Sequence, residues 1–164
     1  MDADAKKTTL RMIPYGIYVL TADDGKGNIG AATVNWVTQA SFAPPLVVVG
    51  VKGDSGAHTV VKGTGKFALN MLGKDHKSLA FNYFKPVKLE DGKLSGQAFH
   101  CGANGAPILD AAIAAVECTV RQIVSMDIVV GEVTDAQLQT PPPGRPDAAI
   151  LEMKDLGDNV FYGG

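Results

Sequence analysis

Apolar residues along this chain fall in short runs rich in β-branched side chains, separated by clusters of glycine, proline and acidic residues. That pattern predicts many short strands joined by turns. Residues 16–22 (GIYVLTA) form one strand, ended by Asp23-Asp24-Gly25-Lys26-Gly27-Asn28, a cluster tolerant of positive φ that predicts a hairpin turn. Residues 29–37 return as its partner. Pro44-Pro45 interrupts pairing and leads into residues 46–52 (LVVVGVK), a run apolar at successive positions and so expected to be a central strand buried on both faces. Residues 53–56 read as a turn. From His58, the spacing of Val60 and Val61 suits a short helix ending near residues 63–65. Residues 66–72 (KFALNML) form another strand, and residues 75–83 read as helical.

Residues 85–105 are polar and rich in glycine, and read as a long loop with weak structure. Residues 111–130 are strongly β-like and predict two strands broken at Val124-Ser125-Met126-Asp127, the second continuing to Val133. The stretch Thr140-Pro141-Pro142-Pro143-Gly144-Arg145-Pro146 cannot pair in a sheet and is expected as a surface excursion. No repeat or linker divides the chain, so residues 1–164 are read as one domain. Many strands with few helices point to a mainly β protein, a closed or nearly closed antiparallel barrel that hides its edges.

Composition narrows the classes. With 46% hydrophobic and 20% charged residues, this is an ordinary globular mixture, slightly apolar for its size. A formal net charge of −2 and scattered charges argue against a nucleic-acid binder. No apolar run approaches the roughly 20 residues a bilayer requires, so no membrane segment is expected. The first residues carry no apolar signal core, and a cytoplasmic setting follows, in which Cys101 and Cys118 stay reduced.

Several chemistries are missing. There is no Gly-x-Gly-x-x-Gly, no phosphate-binding P-loop and no Gly-x-Ser-x-Gly. Gly53-Asp54-Ser55-Gly56 lacks the partners a serine nucleophile needs. His58, His76 and His100 stand apart from one another, so no metal site is expected.

Five fragments then occur in order: Gly16-Ile17-Tyr18-Val19-Leu20-Thr21; Gly30 with residues 33–45, closing on Pro44-Pro45-Leu46-Val47; residues 65–72; Gly105-Ala106-Pro107-Ile108-Leu109; and Val129-Val130-Gly131-Glu132-Val133. In this order and spacing the chain resembles the flavin reductase-like, FMN-binding split-barrel family. The resemblance implies a Greek-key antiparallel split barrel with short helices, a homodimer, and FMN at the subunit interface. It places the flavin ring against Val37, Thr38, Gln39, Ala40 and Ser41, with Asn35 near the ribityl chain; Trp36 lies within the same stretch. Read from the residues alone, that stretch is a plain strand whose alternating pattern packs Val34, Trp36 and Phe42. The turn after the next strand is where the family holds phosphate, which nominates Lys52, Asp54, Ser55, His58 and Thr59. Lys52 supplies charge, and a dianion at a following helix N-terminus gains from the helix dipole.

Two departures stand out. Ala57 occupies a place where many relatives have a phosphate-binding threonine. Met126 falls where relatives that use NAD(P)H carry a histidine, and methionine can neither position nicotinamide by hydrogen bonding nor move a proton. The resemblance therefore implies an oxidoreductase that moves electrons through bound FMN, from NAD(P)H or from a redox partner protein. A flavoredoxin-type electron carrier without NAD(P)H oxidation of its own is the alternative, and a split barrel holding haem or a pyridoxal phosphate derivative a third. No catalytic acid or base is nominated, since the flavin carries the chemistry.

Overall fold

The computed structural model describes residues 1–125 and 127–161. Strand β1 (Tyr18–Asp23) turns at residues 24–28 into β2 (Ile29–Val34), as expected. The turn is closed by Asp24, whose carboxylate accepts the backbone N–H groups of Lys26 (2.7 Å) and Asn28 (3.0 Å). Strands β3 (Val37–Phe42) and β4 (Pro45–Gly50) pair antiparallel across Ala43-Pro44, whose peptide bond is cis. Farther along are β5 (Lys66–Met71) and the long hairpin of β10 (Ala114–Val124) with β11 (Ile128–Leu138). Between them, β6 (Leu89–Glu90) pairs β7 (Lys93–Leu94), and β8 (Phe99–Cys101) pairs β9 (Pro107–Leu109). The helices are α1 (Ala3–Arg11), α2 (Gly56–Thr64), α3 (Lys77–Asn82) and the short α4 (Pro146–Ala149).

Seven strands make the main sheet, in the order β2-β1-β5-β10-β11-β4-β3. Its two outer strands, β2 and β3, are consecutive in the chain and separated only by Asn35 and Trp36. A connection that short spans at most about 11 Å. The ends of the sheet must therefore lie side by side, which curls the sheet into a barrel split along the β2/β3 edge. The mainly β split barrel expected from the sequence is the fold observed.

Two apolar clusters share the sheet's two faces. Leu20, Val49, Val61, Phe67, Leu69, Cys118 and Val129 fill one. Ile17, Val19, Leu72, Leu79, Leu94, Leu109 and Leu151 form the other, beneath α3 and the small hairpins. Residues alternate between clusters along β1, so Val19 faces one and Leu20 the other, both fully buried. Phe67 is fully buried, worth about 1.5–3 kcal/mol. Its ring occupies the room that a side chain at Gly131 would need, 2.5 Å from the Cβ position there.

Helix α2 packs against β1 and β2. Ser55 caps its start, Oγ accepting the His58 N–H at 3.1 Å, and Gly65 ends it at φ 67°, its N–H donating to the Val61 carbonyl. Ala57, His58 and Val61 form the buried face.

Three expectations need correcting, and one element is new. The strand read as residues 29–37 breaks at Asn35-Trp36, because buried Asn35 and the Trp36 carbonyl turn the chain: Asn35 accepts the Val37 N–H, and Trp36 accepts the Gly50 N–H at 2.8 Å. The strand read as residues 46–52 is not central. Strands β1 and β5, inside the sheet, are buried on both faces, whereas β4 lies next to the outer strand β3 and leaves Leu46 and Val48 half-buried. The loop read as residues 85–105 contains β6, β7 and β8, the first two joined by Asp91 and Gly92 at φ 52° and 70°. Helix α1 was not anticipated; Asp2 caps it, yet it buries no residue. The expected break between β10 and β11 is present, although Met126 itself lies outside the described residues, as do residues 162–164 of the tail.

Candidate functional site

A cavity of about 540 Å³ opens along the split of the barrel. One wall is β2, from Ile29 to Val34. The opposite wall is the end of β4 and the turn into α2: Gly50, Val51, Lys52, Asp54, Ser55, Gly56 and Ala57. Tyr83 to Val87, following α3, close the third side. The volume falls in the range of about 300–1,000 Å³ typical of small-molecule sites.

Each wall is held by hydrogen bonds that leave its shape little freedom. Thr33 fastens β2 to α3: its N–H donates to the Tyr83 carbonyl at 3.2 Å and its hydroxyl to the Ala80 carbonyl at 2.6 Å. The buried Tyr83 hydroxyl donates to the Leu94 carbonyl at 2.8 Å, and desolvation holds its proton on far above the ordinary phenol range. On the opposite wall, Val51 N–H donates to the Asp127 carbonyl (2.7 Å) and Gly53 N–H to the Asp127 carboxylate (2.5 Å). Ser55 N–H donates back to the Lys52 carbonyl at 2.9 Å. Close packing matters too: a Cβ on Gly30 would sit 2.8 Å from the Ala57 Cα, so β2 and the first turn of α2 are in direct backbone contact.

The chemistry of these walls is asymmetric. At the α2 end, the positive pole of a helix meets Lys52, whose ammonium lies 3.2 Å from Asp54 in an exposed ion pair. Lys85 adds a second cation on the third side. The β2 wall offers Gly30, Ala31 and Ala32, small residues that take up little of the cavity.

The nominated residues separate into groups. Lys52, Asp54 and Ser55 line the cavity. Asn35 and Trp36 form the joint beside it, with Trp36 half-exposed across Gly50, where a Cβ would meet the indole at 3.0 Å. Val37, Thr38, Gln39 and Ser41 line a different hollow of about 600 Å³, with Tyr18, Leu46 and Met71. Ala40 is exposed at the bulge between Gln39 and Ser41. His58 and Thr59 border a third hollow with Gly53, Lys62, Ile123 and Ser125. There Thr59 Oγ1 donates to the Ser55 carbonyl, while His58 Nε2, enclosed by protein, has no hydrogen-bond partner among the described residues. Residues 29–34 and 83–87 were not nominated. Their only signal was Gly30 in a strand, since a strand glycine marks close backbone approach.

Among the described residues no cluster of His, Cys, Asp and Glu could hold a metal ion, and no helix is long and apolar enough to cross a membrane.

Comparison with known proteins identifies the family. Residues 10–151 match the family model described as a flavin reductase like domain. The chain is 31% identical over 142 residues to diflavin flavoprotein A 1 of a Synechocystis strain, covering 84% of this chain but only 24% of that protein. It is 31% identical over 121 residues to the actinorhodin polyketide dimerase of Streptomyces coelicolor, covering 74% of this chain and 67% of that one. Among solved structures, the styrene monooxygenase flavin reductase of Pseudomonas putida superposes with a TM-score of 0.69 at 27% identity, covering 82% of this chain and 87% of that chain. The matched span runs from the end of α1 through every strand of the barrel and both long walls of the cavity. The chain belongs to the flavin reductase like family, and flavin-dependent redox chemistry is the class of function its fold serves.

Proposed function

We propose that this protein binds FMN in the split of the barrel and acts as an oxidoreductase that passes electrons through it. The observation that carries the reading is the cavity itself: a lysine, a capping serine and a helix N-terminus at one end, small residues along β2 at the other. The phosphate would be held by Lys52, Ser55 and the first turn of α2, and the ring would lie towards Asn35–Ser41. Bound FMN supplies hydride and single-electron transfer; the protein's part is to position the ring, exclude water and set the polarity around it. Asp54 at the phosphate end opposes a dianion, and Lys52 offsets it.

The hollow lined by Val37–Ser41 opens to solvent in the single chain, beside Trp36 (48% exposed) and Phe42 (98% exposed). Such exposed apolar surface supports a homodimer in which a second copy completes the ring end of the site. NAD(P)H is the electron donor in this reading, and free flavin or a protein the acceptor. The FMN reductase RutF of Pseudomonas syringae, 29% identical over 124 residues, is named for NADH. A flavoredoxin-type carrier reduced only by a partner protein is favoured by Met126, which replaces the histidine of NAD(P)H-using relatives. Two free cysteines suit a reducing, cytoplasmic setting.

Anaerobic mixing of FMN-loaded protein with NADH or NADPH separates these readings. Saturable bleaching of the flavin absorbance is the expected result. Bleaching by dithionite alone would leave the carrier, and no flavin uptake on titration would end both.

A further inference from the structure

Away from the cavity, the β8–β9 hairpin is tied to the barrel by a chain of polar side chains that the flavin reading does not use. Glu117 of β10 is fully buried, yet no cation pairs with it in the described structure. Both its carboxylate oxygens act as acceptors: Oε1 from Ala103 N–H (3.0 Å) and the Gln137 amide (3.1 Å), Oε2 from Asn104 N–H (2.7 Å). The carboxylate thereby holds the turn of the hairpin, and Gly102 is required there because a Cβ would lie 2.6 Å from it.

The donor count along this chain has a consequence. A carboxylate that accepts from Gln137 orients that amide, so its nitrogen faces Glu117 and its oxygen faces outward. The outward oxygen lies 3.1 Å from His100 Nε2. On the other side of the ring, Nδ1 lies 2.7 Å from the Asp110 carboxylate. Both ring nitrogens face acceptors, and a neutral imidazole has a hydrogen on only one of them.

We propose that His100 works as an imidazolium latch: its second proton completes the Asp110–His100–Gln137–Glu117 chain, and losing that proton breaks its tie to Gln137 of β11 and loosens the β8–β9 hairpin, whose remaining ties to the barrel run through Asn104, Pro107 and Leu109. Neutral His100 would set a lone pair against Asp110 or against Gln137; turning the Gln137 amide to relieve the second would set its oxygen against Glu117.

The charged groups that bear on the ring are Asp110, after β9, and Glu117 of β10. Strand β11 contributes neutral Gln137, and its Asp135, opposite Glu117 in register, accepts from the Ala136 N–H. Hydrogen bonds to Asp110 and then Gln137 raise the His100 pKa above its ordinary 6.5, against a small opposing effect of desolvation. The sign follows from linkage. A pKa raised on folding contributes stability that is complete below the unfolded value and is lost as pH rises through the folded one.

The test is a titration of the full-length protein by nitrogen-detected NMR of the His100 ring, with hydrogen exchange of the Gly102 and Gly105 amides. Expected are two protonated ring nitrogens at pH 6.5, a midpoint above 6.5, and a loss of protection at the turn through that midpoint, exceeding that of amides in β5 and β10. Gln137→Met is expected to lower the midpoint, and His100→Arg, permanently charged, to abolish the pH dependence of protection. A neutral ring at pH 6.5 in the unaltered protein overturns the latch, as does a Gln137→Met midpoint equal to that of the parent. Neither readout depends on flavin, so failure here leaves the FMN reading standing.

Discussion

Gly30→Ala tests the link between packing and the candidate site most directly. The added methyl would lie 2.8 Å from the Ala57 Cα and 3.1 Å from the Val60 Cβ. Carbon atoms in contact prefer about 3.5–4.0 Å, so the neighbour must retreat by roughly 0.7 Å or more. Neither atom is the end of a flexible side chain. The first is backbone in the first turn of α2, held by the Ser55 cap, so relief requires moving the helix or bending β2. Overpacking of this kind costs about 1–3 kcal/mol, which lowers the melting temperature by roughly 2–12 °C in a domain of this size. Both displaced elements are cavity walls, so FMN affinity falls as well. Urea denaturation of the apoprotein and flavin fluorescence titration measure the two effects. If stability shifts by less than about 0.5 kcal/mol, the gain in strand propensity outweighs the clash. If affinity also stays unchanged, the claim that this contact shapes the site is refuted.

Other expectations can be checked on the same preparation. Asp54→Asn removes a negative charge beside the phosphate end and is expected to tighten FMN by about two- to fivefold without changing stability, as befits an exposed pair. Equal or weaker binding would show that the phosphate lies elsewhere. Ser55→Ala loses the helix cap and should cost about 0.5–2 kcal/mol, whereas Ser55→Gly costs only a few tenths; both should weaken FMN alike if the hydroxyl also meets the phosphate. Gly131→Ala drives a methyl to 2.5 Å from the Phe67 ring and should destabilise the apoprotein more than Gly30→Ala does, with calorimetry as the readout. Burial, and then the nearby Glu117, push the Cys118 thiol up to about 12, while Cys101 is exposed. Alkylation of native protein at pH 8 should therefore add one label by mass spectrometry, and denaturation should expose the second.

Much of the barrel was readable because its strands carry local signals. The hairpin of β1 and β2 announced itself through Asp23-Asp24-Gly25, and α2 through Ser55 and Gly65. The Asp91-Gly92 pair, a strong hairpin signal, was hidden because its strands are only two residues long and expose Leu89 and Lys93. Strand β4 misled for a different reason. A continuous run of valines looks alike whether both faces meet protein of the same chain or one of them faces a hollow. In the site, Lys52 and Ser55 were legible because a turn before a helix is local chemistry. Tyr83 to Val87 were not, since they reach the cavity only through the packing of α3, fixed by Thr33 and Tyr83 contacts that span many residues.

The joint at Asn35-Trp36 also behaves as a gauge block. Ladder hydrogen bonds set the spacing between neighbouring strands of the main sheet, whereas β2 and β3 are linked by a two-residue joint and by the bonds its carbonyls accept from Val37 and Gly50. The candidate cavity opens beside that joint, between β2 and the end of β4, so the length of the spacer bears on how far apart those two walls stand. Inserting one glycine there would widen the cavity while leaving every strand pairing intact, and deleting Trp36 would pinch it shut. Ligand size in such a protein is then adjustable by length at one position, with the barrel itself left untouched.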